Sequence, residues 1–136
     1  MINMSESFET IVNYTQGKLE LIEQELKRSK NLQIQRSPFH IKVLIMNLIT
    51  TVECYKELPI FNHLNRLSKD EVLAALCVIH DSFYRLADIY YIHLEQIDGE
   101  GYSAGNIYQL IEDIAFETLL YIRTNHEDYA NEWNKL

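Results

Sequence analysis

Hydrophobic positions recur along this chain at steps of three and four residues, the period of a helix that turns one face to a core. In the first segment Phe8, Ile11, Val12, Thr15, Leu19, Ile22 and Leu26 form one stripe, with Glu20, Glu23 and Gln24 on the other side. Ser5 is placed to cap this helix, and Glu6 and Glu9 suit the positive end of its dipole. Gly17 weakens it without ending it. After Leu26 the chain turns basic and polar through Lys27, Arg28, Lys30 and Arg36, the expected fraying end and loop.

Ser37-Pro38 then reads as a helix start and Pro59 as a stop. Between them Ile41, Leu44, Ile45, Leu48, Val52 and Tyr55 share a face while Val43 and Met46 lie opposite, so this helix is apolar over most of its circumference and is expected to be central. The linker 59–67 has room for one short turn. Ser68 and Glu71 form a capping box, and Val72, Leu76, Ile79, Phe83, Leu86, Tyr90, Leu94 and Ile97 follow on one face, opposite Asp81, Arg85 and Asp88. At 1.5 Å per residue the segment 68–98 is roughly 45 Å long. Asn106 and Gln109 are candidates to cap a fourth helix whose stripe is Ile107, Leu110, Ile111, Ile114, Thr118, Tyr121 and Ile122. Tyr129, Trp133 and Leu136 fall at helical spacing in the tail.

The pattern therefore predicts an all-α fold. It is a single helical domain over 1–136, a bundle of four main helices near 5–29, 38–57, 69–98 and 106–125 plus a short C-terminal helix. Phe8, Leu19, Leu44, Leu48, Leu76, Phe83, Leu94, Ile111 and Ile114 sit at the stripe centres and are the expected core. Only four glycines and two prolines occur in 136 residues, too few turn-forming residues for a sandwich or barrel of many short strands. Two cysteines, Cys54 and Cys77, give no disulfide framework. No signal-like or membrane-length apolar run is present, so a cytoplasmic location is expected.

Few residues stand in a pattern that carries chemistry. Gly99, Gly101 and Gly105 do not follow a strand and lack both the dinucleotide and the P-loop spacing. As a calcium loop the segment from Asp98 fails, because Gln109 stands where a bidentate carboxylate is needed. None of the five histidines has a His, Asp or Glu three or four positions away, so no Glu-x-x-His carboxylate site is encoded. Arg36/His40, Arg85/His93 and Arg123/His126 miss the arginine–histidine spacing of helical ribonucleases. Cys77 and His80 are half a metal site, more simply read as a buried-edge thiol beside a hydrogen-bonded ring, with Tyr84 and Tyr91 on the same flank. Ser82, His80 and Asp81 are neighbours in sequence, and consecutive helical residues point apart. The expectation is no enzyme, no catalytic residues, no cofactor and no metal.

Charge changes the picture. The net charge is −8, which disfavours nucleic acid and anionic membranes as ligands. Residues 26–52 carry five bases and no acids, whereas residues 93–136 carry nine acids and two bases, interleaved with Tyr102, Tyr108, Phe116, Tyr129 and Trp133. Phe116, Leu119 and Leu120 lie away from the fourth helix's core stripe, beside Glu112, Asp113 and Arg123. Two readings fit: the helix is buried on two sides, by the first helix and the tail, or these residues form a binding patch. The functional expectation is a small acidic domain that neutralises a basic protein, as an immunity protein or antitoxin does a nuclease-type toxin. Asp98, Glu100, Tyr102, Glu112, Asp113, Phe116 and Leu120 are the expected partner-binding residues. The alternatives are a homodimeric helical scaffold, a phage-type inhibitor module, or a small helical enzyme whose site is dispersed.

Overall fold

A computed structural model describes residues 4–33, 39–92 and 104–126, and among them the fold is all-α, with no strand. Four long helices are present: α1 Met4–Gln33, α2 Phe39–Lys56, α4 Lys69–Ile92 and α5 Ala104–Asn125. A single-turn helix, α3 Pro59–Asn62, and a 3-10 turn, Leu64–Arg66, fill the linker between α2 and α4. Pro59 ends one helix and opens the next: it lacks the N–H that α2 needs to continue, and as the first residue of α3 it loses nothing by that.

The core forms where the stripes meet. Phe8, Ile11, Val12, Leu19, Ile22 and Leu26 of α1 are buried, as are Leu44, Ile45, Leu48 and Val52 of α2. They join Leu76, Ile79, Phe83 and Tyr90 of α4 and Ile107, Ile111, Ile114 and Ile122 of α5 in one cluster. Every expected core residue is buried except Leu94, which lies outside the described residues. α5 packs most extensively against α4 and then against α1. Its contacts with both run antiparallel: Tyr91 meets Tyr108 and His80 meets Ala115 on one side, while Lys18 meets Asp113 and Phe8 meets Tyr121 on the other.

Local signals account for the boundaries. The Ser68 Oγ accepts from the Glu71 N–H at 3.2 Å and the Glu71 carboxylate accepts from the Ser68 N–H at 3.2 Å, so the capping box closes as expected. Helix α1 runs to Gln33, past the loop expected after Leu26. The basic stretch contains neither Gly nor Pro, and lysines and arginines near a helix C-terminus are favoured by its dipole, so polarity alone does not end the helix. α5 begins at Ala104, which places Asn106 within its first turn and not at the cap; Gln109 instead donates to the Asp113 carboxylate at 2.8 Å.

The expectation that α2 is central is overturned. Phe39 is 81% exposed, and Val43 and Met46 are also open to solvent. α5 packs against both α1 and α4, whereas α2 packs chiefly against α1 and leaves its other side to solvent. It is fastened by the Lys56 ammonium on the Glu23 carboxylate at 2.9 Å, by a hydrogen bond between the Tyr55 hydroxyl and Ser82, and by the Tyr55 ring against Phe83. Lys56 holds the Glu23 carboxyl below its ordinary value, and Glu23 in turn raises Lys56. The expected C-terminal helix, with Tyr129, Trp133 and Leu136, and the 93–98 part of the expected third helix lie outside the described residues.

Candidate interaction face

The outward side of the α4/α5 pair collects exposed aromatic and apolar side chains beside carboxylates. On α5 the core-facing positions Ile107, Ile111, Ile114, Ala115, Thr118 and Ile122 are buried. Phe116 falls about 100° away from Ala115 around the helix, and Leu120 lies one turn further along the same side. They are 60% and 46% exposed, and the tail of the two-sided burial reading lies outside the described residues. Leu119, between these two faces, is half-buried. Glu112 is exposed one turn before Phe116, and Arg123 is exposed beyond Leu120.

Asp113 has a different environment from Glu112. Its Oδ2 accepts from the Lys18 ammonium at 3.1 Å, tying α5 to α1, and its Oδ1 accepts from Gln109. The Lys18 ammonium also stands 5.3 Å from the centre of the Tyr14 ring. The hydrogen bond to Asp113 is the main reason the Lys18 ammonium titrates above its ordinary value. Of the two carboxylates grouped together in sequence, one is thus committed to an interhelical ion pair and the other faces solvent.

α4 supplies the rest of the face. His80 Nδ1 is hydrogen-bonded to the Ala115 carbonyl of α5 at 2.8 Å, and its ring lies 6.0 Å from that of Tyr84. Two turns on, Tyr91 packs against Tyr108 with ring centres 5.9 Å apart and planes tilted by 48°. The Tyr108 phenol is pushed up to about 12, first by its hydrogen bond to Glu112, then by burial and by the negative charge of Glu112 and Asp88. Asp88 is exposed one turn before Tyr91. Arg85, the cation closest to it in sequence, is drawn to Asp81 at 3.2 Å. Among the described residues no lysine or arginine pairs with Asp88 or Glu112.

The structure therefore brings Glu112, Phe116 and Leu120 onto one exposed side of α5, while Asp98, Glu100 and Tyr102 lie outside the described residues. Tyr84, Asp88, Tyr91 and Tyr108 belong to the same side of the α4/α5 pair and are not among the expected binding residues. The signal for them in the sequence is the shared flank of His80, Tyr84 and Tyr91, spaced by whole turns on α4.

Cys77 is buried and burial alone pushes its thiol up to about 11, which keeps it protonated and unreactive at neutral pH. His80 is hydrogen-bonded to the α5 backbone, so the pair is a buried thiol beside a hydrogen-bonded ring, as the simpler reading has it. No group of three His, Cys, Asp or Glu side chains among the described residues is placed to hold a metal ion. A surface cleft between α1 and the linker is lined by Glu9, Phe61, His63, Leu64 and Arg66, but its ionisable groups are all exposed. No helix among the described residues is long and apolar enough to cross a membrane. Comparison of the chain with known protein families, with curated proteins and with solved structures finds no match.

Proposed function

We propose that this protein is a small binding domain that captures and neutralises a basic protein through the outward face of α4 and α5. The observation that carries this reading is the 60% exposure of Phe116 beside Leu120 and the solvent-facing Glu112. A large aromatic side chain left in water on the side of a well-packed helix, with an exposed acid one turn before it, has the composition of an interface centre with a charged rim. The net charge of −8 adds long-range attraction for a cationic partner. Nuclease-type toxins suit this chemistry, because an enzyme that grips phosphates carries a cationic cleft; an immunity protein or antitoxin is the corresponding role for this chain, exercised in the cytoplasm. A phage-type inhibitor acts by the same physics.

A homodimeric scaffold is the second reading, and a specific feature favours it. Arg123 lies about three turns from Glu112 on the same side of α5, so two copies packed antiparallel bring each arginine towards the other's glutamate. Sedimentation of the purified chain separates the two. The binding-domain reading expects a 16.1 kDa monomer at micromolar concentration, whereas a dimer that Phe116→Asp dissociates supports the scaffold. Affinity capture from the native cell then tests the main reading directly: the wild type is expected to retain a basic protein that Phe116→Ala loses. Capture that is indifferent to Phe116→Ala and to Leu120→Ala contradicts it.

A further inference from the structure

Resting on that reading, we infer that the face reads arginine in particular: Tyr91 and Tyr108, with Asp88 and Glu112 beside them, form a seat for a guanidinium group of the partner. The two rings meet across the α4/α5 seam at 5.9 Å, tilted by 48°, so they present an angled aromatic surface and not a flat stack. Tyr91 is 66% exposed, which leaves a ring face open to a cation. Each ring has a carboxylate one turn away on its own helix: Asp88 three residues before Tyr91, and Glu112 four after Tyr108. Both carboxylates make themselves felt at the Tyr108 phenol, which places their negative charge at the same end of the seam.

Among the described residues no lysine or arginine is ion-paired with Asp88 or Glu112. Arg85 is paired with Asp81 and Lys18 with Asp113. The charge left over is negative and the surface is aromatic, so the complementary group is a cation with flat faces. A guanidinium is planar, stacks on aromatic rings, and offers donors in a fork that matches a carboxylate, while an ammonium offers a compact and strongly hydrated charge. Ring and carboxylate together therefore select arginine over lysine, which a merely acidic surface does not do.

The test uses the full chain and two short peptides that differ only in carrying arginine or lysine, with binding followed by fluorescence anisotropy at physiological salt. The arginine peptide is expected to bind about tenfold more tightly. Tyr91→Ala and the pair Asp88→Asn with Glu112→Gln are each expected to remove that preference. Tyr91, Asp88 and Glu112 are all exposed, and circular dichroism checks that the variants remain folded. Equal affinity for the two peptides, no binding of either, or a preference that survives Tyr91→Ala overturns the inference. The binding-domain reading is decided separately by Phe116→Ala against the captured protein, so an arginine seat can fail while that reading stands.

Discussion

His126 illustrates how single residues in this fold trade charge against packing. It follows the last turn of α5, where a positive charge is favoured by the helix dipole, yet it is buried, stacked on Phe8 at 5.6 Å and tilted against Tyr121. Burial first, and the charge of Lys69 second, hold its imidazole below the ordinary 6.5. The unfolded chain then binds more protons than the folded one between the two values. Stability is expected to fall as pH drops through 6.5 and to level off once the folded imidazole is also protonated. Urea midpoints at about pH 8 and about pH 5.5 check this, since His126→Phe, which keeps an aromatic ring there, is expected to shrink the difference. A second expectation at this scale concerns Leu48, fully buried on α2: Leu48→Ala is expected to cost about 2–5 kcal/mol, read from chemical denaturation.

At the scale of helices, propensity and caps make separable contributions. Gly17 is exposed within α1, and a Cβ added there meets nothing within 4 Å. Gly17→Ala is therefore expected to stabilise the protein by about 0.5–1 kcal/mol, since it removes backbone freedom from the unfolded chain without a clash. Ser68→Ala, which opens the capping box of α4, is expected to destabilise by about 0.5–2 kcal/mol. Both are read as shifts of the thermal or urea midpoint. These elements are legible in the sequence because each long helix carries its core on one stripe, and at α4 the cap residues stand beside it. The end of α1 is not, because a polar stretch resembles a loop although nothing in it forbids a helix. The place of α2 is hidden for another reason: periodicity shows which sides of a helix are apolar but not which side finds a neighbour. Val43 and Met46 have the pattern of a second core face and form an outer one.

For the whole molecule, the lopsided charge and the off-stripe position of Phe116 are legible in the order of residues alone, and they direct attention to α5. Pairings between helices are not. Lys18 with Asp113 and Tyr91 with Tyr108 are 95 and 17 positions apart in the chain, and only the antiparallel packing of α5 against its two neighbours brings them together. That packing separates Asp113, which fastens the bundle, from Glu112, which faces outward. If the face works as proposed, its carboxylates steer the partner in and its apolar groups hold it, so the two kinds of substitution act on different rate constants. The most direct measurement is association and dissociation kinetics with the captured partner at low and high salt, for the wild type, Glu112→Lys and Phe116→Ala. Glu112→Lys is expected to slow association and flatten its salt dependence, and Phe116→Ala to speed dissociation while leaving association nearly unchanged. An on-rate indifferent to Glu112→Lys together with an off-rate indifferent to Phe116→Ala contradicts the proposal.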